Sequence, residues 1–307
     1  MKRVFKGIKW LFIGSIMSLM ALPSLSLAQT QQAGIQISPL TYSFEIKPNQ
    51  TRSGNLYIRN LDSTPMEYVI ETELFSETSE DGAPSFTGVK KEDGVNDLTN
   101  WIEFDKPTEG TVAVGDQIDI TFEINVPENA EPGGHYAAIF ARQIKKDAEG
   151  KTQLGVASRV GLLILVSVPG DVTKTAEIES FSYSKWLWSG RPDFGLKVKN
   201  TGTVHYSSAA ELEITPTLGS IQKVDMGRHT ILPDTIRSYE GQWNNKYPFG
   251  LYKVKAKATD GNGDTVSTTA SFWAIPLVIV IPVLVLIILL WIIIHYMKKN
   301  FRLVRAE

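Results

Sequence analysis

Cysteine is absent from the 307 residues, which excludes a disulfide framework and a lipid-modified cysteine anchor. Histidine is scarce, and none of the four histidines has the i, i+4 spacing or the cysteine partners of a zinc site. No nucleophile with a base and no catalytic carboxylate pair forms a recognisable motif. The sequence therefore predicts a protein that is not an enzyme and that uses neither a metal nor a cofactor.

Amphipathic helical periodicity is also missing between the two ends of the chain, and short alternating segments take its place. In Gln117–Val126 every second side chain is apolar and the rest are polar, the pattern of a half-buried strand. Val160–Val168 is apolar almost throughout, as in a strand covered on both faces. Further strands are predicted at Leu56–Ile58, Met66–Leu74, Phe194–Val198 and Tyr252–Ala258, with turn residues between them. The predicted fold class is all-β, with two immunoglobulin-like antiparallel β-sandwich domains followed by one transmembrane helix.

The first 28 residues have the pattern of a secretory signal peptide. A basic start precedes the apolar run Leu11–Leu22, and small residues end at Ala28, so cleavage is predicted between Ala28 and Gln29. An uncleaved signal anchor or a core helix is the alternative. Pro23 and the short apolar run favour the signal.

A second apolar run, Ala274–Ile294, has the length of a membrane span. Its 21 uncharged residues cover about 31 Å as a helix, close to the thickness of a hydrocarbon core. Trp273 and Trp291 suit the two interfaces, and Lys298, Lys299, Arg302 and Arg305 follow directly. By the positive-inside rule the tail is cytoplasmic and the preceding domains lie outside a plasma membrane that the chain crosses once.

The part between signal and span is acidic. Residues 29–272 carry 32 acidic and 23 basic side chains, so charge-driven binding to nucleic acid is not expected. We predict a signal peptide over 1–28, an N-terminal sandwich over 29–172 and a membrane-proximal sandwich over 173–272. The transmembrane helix is predicted over 273–297 and the basic tail over 298–307.

Two surface segments leave alternatives open. Asp260–Asp264 has the oxygen spacing that opens a calcium loop, but Thr265 and Ser271 stand where its glycine and glutamate belong, which favours a hairpin turn. Ser76–Leu98 is the longest irregular stretch and is predicted to be a mobile surface loop, either functional or a tolerated insertion.

The most unusual segment runs from Phe181 to Trp188. In a strand it places Tyr183 on one side and Trp186 and Trp188 on the other. Exposed tryptophans would stack on sugar rings or dock a protein, and the alternative is packing against the linker, the first domain or the membrane interface. We take Trp186, Trp188, Tyr183, His135 and Tyr136 as candidate ligand or partner contacts.

The order of features resembles the WxL-interacting proteins of Gram-positive bacterial surfaces. The matching segments are Ile37-Ser38-Pro39, Lys47–Gln50, Val126–Glu128, Pro132–Tyr136, Leu162–Val168, Lys199–Gly202, Ile231–Pro233 and Gly250–Tyr252. This resemblance implies two non-catalytic sandwich domains, the first contacting the cell wall and its peptidoglycan and the second contacting a protein partner.

Two functions follow as hypotheses. The first is a membrane-anchored cell-surface protein that binds cell-wall polymer or another surface protein. The second is an accessory or chaperone-like subunit of a membrane transport or secretion complex. The lack of a Gly-x-x-x-Gly motif in Ala274–Ile294 weakens the second hypothesis.

Overall fold

The strands alternate buried and exposed side chains much as the sequence predicts. A computed structural model describes residues 34–75, 77–86, 94–144, 159–188 and 190–300. The signal peptide with Ala28 and Gln29, and the tail residues Arg302 and Arg305, lie outside the described residues.

The described residues of the first sandwich contain eleven strands, nine in its two sheets and two in a separate hairpin. They are β1 (Ile35–Ser38), β2 (Thr41–Glu45), β3 (Thr51–Asn60), β4 (Met66–Leu74), β5 (Glu77–Thr78), β6 (Pro84–Ser85), β7 (Ile102–Phe104), β8 (Glu109–Val112), β9 (Gln117–Asn125), β10 (Gly133–Ile144) and β11 (Arg159–Val168), with a 3-10 turn at Leu98–Asn100. A four-stranded sheet, β1-β3-β9-β7, packs on a five-stranded sheet, β2-β11-β10-β4-β8. Leu56, Phe122, Ile139 and Leu162 fill the space between them.

Eight strands form the second sandwich, and a long helix follows. They are β12 (Ala176–Tyr183), β13 (Trp186–Leu187), β14 (Asp193–Asn200), β15 (Tyr206–Pro216), β16 (Gln222–Ile231), β17 (Ile236–Gln242), β18 (Gly250–Thr259), β19 (Thr265–Ala274) and then α1 (Leu277–Asn300). A three-stranded sheet, β12-β14-β17, packs on a five-stranded sheet, β13-β19-β18-β15-β16. The core between them holds Leu196, Leu212, Val254 and Phe272.

The two sandwiches repeat one topology. In each, the first strand is divided: one part joins the smaller sheet, and the other crosses to pair in parallel with the last strand of the larger sheet. β1 and β2 are these parts in the first sandwich, where β2 runs parallel to β11. β12 and β13 are their equivalents in the second, where β13 runs parallel to β19. The other pairings within the sheets are antiparallel.

The predicted fold class is confirmed, since two immunoglobulin-like sandwiches precede one apolar helix. β11 ends at Val168 and β12 begins at Ala176, and the boundary placed near residue 172 stays a prediction. The stretch predicted to be irregular, Ser76–Leu98, contains the β5–β6 hairpin and the start of the 3-10 turn. Its pairing depends on few residues, so alternation does not reveal it.

Beyond its first turns, the C-terminal helix is uncovered by the rest of the described chain. Its segment Leu277–Lys298 is 22 residues long and apolar enough to cross a membrane, and none of its most apolar window is buried in the protein. Pro282 lies inside it. A single C-terminal helix of this kind fits a single-pass anchor.

Candidate binding surfaces

The two sandwiches meet through a hydrogen-bonded joint centred on His205. Its backbone N–H donates to the Tyr136 hydroxyl at 3.1 Å, its Nδ1 lies 3.3 Å from the same hydroxyl, and its Nε2 lies 2.9 Å from the Ser43 Oγ. Since the hydroxyl accepts from the backbone, its own proton is free to point at Nδ1, which leaves the imidazole proton on Nε2 facing Ser43. Tyr136, a candidate ligand contact, is therefore buried in the joint.

The joint favours neutral side chains. Burial, with a smaller effect from Lys174, lowers the pKa of His205 to about 4. Burial also raises the pKa of Tyr136 far above its usual value. Both groups are therefore uncharged at neutral pH, and the contact between them is a hydrogen bond between neutral groups.

Apolar packing and a bridging hairpin extend the joint. Leu232 of the second sandwich packs in one cluster with Phe75, Tyr136 and Leu165 of the first. The β5–β6 hairpin reaches across at Glu80. The Glu80 carbonyl accepts a hydrogen bond from the backbone N–H of Ser238, and the Glu80 carboxylate lies 2.7 Å from Lys197 Nζ. The hairpin thereby covers part of the outer edge of β17.

One apolar strand edge is left open in the first sandwich. β2 pairs with β11 from Leu163 to Ser167, and the Leu163 N–H donates to the Leu40 carbonyl at 2.9 Å. Within the described residues no strand continues this pairing along Arg159–Leu162. Strand alternation points the backbone groups of Arg159 and Gly161 toward this open side. Leu40, which is 63% exposed, borders it.

Two other edges among the described strands carry features that discourage pairing. β16 has a register shift where it pairs with β15 and carries Lys223, and bulges and lysines protect natural sheet edges. β19 is covered by β13 only at its end, but the exposed side chains of its free part are threonine and serine. The start of β11 differs from these two edges in having the exposed, apolar Leu40 beside it.

A second feature is a row of stacked tryptophans beside the helix. Trp186 stacks on Trp188, with ring centres 5.8 Å apart, and on Trp273, at 6.3 Å. Trp186, Trp188 and Trp273 are 53%, 49% and 45% exposed. Tyr183 lies on the other side, stacked on Phe181 against the second core.

Tyr183 also lines an open depression on the second sandwich. This depression has a volume of about 800 Å³, and its other lining residues include Ser182, Asp193, Gly195 and Glu240. Gly195 has no side chain to project into this space. A ligand role for Tyr183 stays a prediction.

The remaining candidate contact, His135, is held by backbone groups. Its ring nitrogens lie 3.1 Å from the Asn96 carbonyl and 3.0 Å from the Glu131 carbonyl, and its ring packs on Trp101. A neutral imidazole donates to one of these two carbonyls, and the tautomer decides which one. A ligand role for His135 also stays a prediction.

The Asp260–Asp264 segment forms the turn between β18 and β19. The Asp260 Oδ1 accepts from the backbone N–H groups of Asn262 and Asp264, at 2.9 and 2.8 Å. Across the parts of the chain that the structure describes, no group of three or more histidine, aspartate or glutamate side chains could hold a metal ion. The turn interpretation accounts for these residues.

The far end of α1 carries Trp291, Tyr296 and Lys298, and all three are exposed. Trp273 lies at the near end, before Leu277. Lys299 belongs to the helix, and its side chain lies outside the described residues.

No protein-family model and no curated protein matches the sequence. Solved structures of bacterial chaperones match at low identity. The class 5 fimbriae chaperone CfaA is 12% identical over 77% of this chain and 98% of its own, with a TM-score of 0.40. The Pseudomonas aeruginosa chaperone CupB2 is 11% identical over 76% and 98%, at 0.33. The E. coli chaperone DraB is 14% identical over 79% and 98%, also at 0.33. Similarity this remote assigns no function to the chain.

The resemblance to WxL-interacting proteins is wrong. No family model matches, and the solved structures that do match include fimbrial chaperones. Several residues behind the resemblance are turn formers: Asn49 adopts a positive φ of 64° between β2 and β3, and Gly133 one of 138° at the start of β10. Many unrelated sandwiches need such residues at their turns. The binding roles that the resemblance implied lose their basis with it.

Proposed function

We propose that this chain is a non-catalytic accessory protein of the cell surface, anchored in the membrane by α1, whose first sandwich holds an extended segment of another exported protein in a chaperone-like manner. The observation that carries the proposal is the open apolar edge of β11 beside Leu40.

An extended segment binds such an edge by adding a strand to the sheet. Main-chain hydrogen bonds supply affinity in this mode, and alternate side chains supply specificity. Arg159 and Gly161 present two N–H groups and two carbonyls to a strand that continues the line of β2. An apolar side chain of that strand would pack on Leu40, whose side chain is otherwise exposed to solvent.

The histidines of the two sandwiches support a binding role over a catalytic one. His135 lies between two backbone carbonyls, and His205 is buried in the joint. His229 faces Arg237 and Tyr239, and burial lowers its pKa. Each imidazole is engaged in packing or hydrogen bonding with the surrounding fold.

The anchor and its orientation are part of the proposal. The helix is apolar and uncovered, and the basic residues that begin at Lys298 favour a cytoplasmic C-terminus. The acidic sandwiches would then lie outside the plasma membrane. Neither the structure nor the similar proteins support binding to cell-wall polymer.

Site-specific photocrosslinking in intact cells tests the strand edge. A photoreactive residue replaces Leu40 in the full-length protein. Irradiation is expected to give an adduct with an exported protein, identified by mass spectrometry. Arg159→Pro removes one outward N–H without breaking the ladder to β10, so the adduct should be lost. Arg159→Ala is the matched control, because it removes the same side chain and keeps the N–H.

A second photoreactive position checks the specificity. Thr269 lies on the free, serine- and threonine-rich edge of β19, and no comparable adduct is expected there. Equal adducts at both positions, or an adduct at Leu40 that survives Arg159→Pro, would contradict binding by strand addition.

A further inference from the structure

The connection between the second sandwich and the helix is short and hydrogen-bonded. β19 ends at Ala274 and α1 begins at Leu277, so only Ile275 and Pro276 separate them. The backbone N–H groups of Ile275 and Leu277 donate to the carbonyls of Leu187 and Trp188, at 2.8 and 3.0 Å. The strand pairing with β13 therefore continues up to the first helical residue.

This connection fixes which part of the sandwich lies level with the start of the span. Trp188 lines a cavity of about 440 Å³ together with Leu277, Val278, Ile281 and Pro282. At 1.5 Å per residue, Pro282 lies about 7 Å along the helix. Trp188 is thus beside a part of α1 that would already have entered the bilayer.

Exposed apolar side chains continue from Trp188 along the same end of the five-stranded sheet. Trp186 pairs with Trp273, and Trp273 with Leu251, so the row crosses β13, β19 and β18. The turn after β15 joins the same end, because the Thr217 N–H donates to the Leu251 carbonyl. Leu218 at its tip is 90% exposed. We call Trp186, Trp188, Leu218, Ile221, Phe249 and Trp273 the apolar collar.

We propose that the apolar collar is immersed in the interfacial zone of the outer leaflet, so that the second sandwich docks on the bilayer. This inference rests on the proposed anchoring by α1. Tryptophan prefers the membrane interface, where its ring is in apolar surroundings and its N–H remains wet. A contiguous apolar patch that is exposed on the surface of a domain also marks an interaction surface.

Lipid is favoured over a protein or a sugar by continuity with the span. The collar lies at the sandwich end from which α1 leaves, and the Trp188 carbonyl accepts a hydrogen bond from the first residue of α1, Leu277. A partner protein in that place would have to displace lipid around the first turns of the helix. Exposed lysines flank the collar at Lys185 and Lys246, where they can reach lipid phosphates.

Spin labels on the full-length protein in phosphatidylcholine vesicles test the docking. The chain has no cysteine, so each variant carries one thiol. Labels replace Leu218 in the collar, Asn262 at the opposite end of the β18–β19 hairpin, and Leu289 within the span. Collisions with a water-soluble nickel chelate should be severalfold rarer at Leu218 than at Asn262. Lipid-soluble oxygen should reach Leu218 more readily than Asn262.

The Leu289 label separates the two proposals. If Leu289 is in lipid and Leu218 is as accessible to nickel as Asn262, the anchor stands and the docking is wrong. If Leu289 is itself accessible to nickel, the anchor is wrong. Trp186→Ser combined with Trp188→Ser should raise nickel access at Leu218. Unchanged access would show that the two tryptophans do not hold the collar in the bilayer.

Discussion

Asn60 and Asn200 occupy the same structural position in the two sandwiches. Each ends a strand, β3 or β14, and each is fully buried. Each side-chain Nδ2 donates to the carbonyl four residues later, Thr64 at 2.8 Å and Val204 at 3.0 Å. Each also donates to the carbonyl of the last residue of β8 or β16, at 3.1 Å. One side chain thus closes two turns in each sandwich.

Removing either amide should strongly destabilise its sandwich. Asn60→Ala and Asn200→Ala leave buried carbonyls without donors, and each such group costs about 1–3 kcal/mol. We expect a loss of that size or somewhat larger in the free energy of unfolding, measured by chemical denaturation. Asn55→Ala, at an exposed position of β3, is the control. A loss no larger than that of the control would contradict the closing role.

Stability should depend on pH through His205. Its pKa is lowered from 6.5 to about 4 in the folded state, so between these values the unfolded chain binds a proton that the folded chain does not. Stability is therefore lost as the pH falls from about 6.5 to about 4, by about 3 kcal/mol in total, and this contribution is constant below pH 4. Thermal melting across this range measures the loss.

His205→Gln provides the comparison for the pH series. Glutamine keeps polar groups in the joint and does not titrate, so the part of the pH slope due to His205 should disappear. Identical slopes for the two proteins would show that the buried imidazole is not responsible.

Leu232→Ala should loosen the joint between the sandwiches. A large-to-small change of a buried leucine costs about 2–5 kcal/mol, and this cost falls on a contact between sandwiches. We expect faster proteolysis of the segment between β11 and β12 under native conditions. Leu212→Ala, in the core of the second sandwich, is the matched control. Equal cleavage of both variants would argue that Leu232 only supports its own sandwich.

Gly202→Ala should be poorly tolerated, because a Cβ there would lie 2.3 Å from the Thr173 carbonyl oxygen, a backbone atom. The backbone must shift, and overpacking of this kind costs about 1–3 kcal/mol. At Gly195 the nearest atom is the exposed Ser182 Oγ at 2.5 Å, which can rotate away. Gly195→Ala should therefore leave the melting temperature nearly unchanged, and equal losses would contradict this account.

Local alternation is enough to predict most of the core strands. Gln117–Val126 and Met66–Leu74 match β9 and β4 almost residue for residue, because one face of each strand is buried and the other is wet. β13 has only two residues, Trp186 and Leu187, and its partner Trp273 is far along the chain. A pattern that short carries no periodicity, so the sequence does not reveal the crossing.

The candidate surfaces depend on what lies beside each strand. The apolar run Val160–Val168 predicts a strand covered on both faces. Nothing in that run shows that β2 begins opposite Leu163, so that the backbone of Arg159 has no partner strand on that side among the described residues. The bridging role of Glu80 likewise depends on the distant Ser238 and Lys197. The turns after Asn60 and Asn200 are predicted from the sequence as two unrelated turns. Only the shared topology of the two sandwiches shows that the asparagines occupy the same position.

The unbroken pairing from β13 into Leu277 has a mechanical consequence. A force applied to the first sandwich passes through the His205 joint and β19 into α1 without a flexible tether to absorb it. Under the proposed function, tension on a bound exported protein would therefore tilt or pull the helix directly.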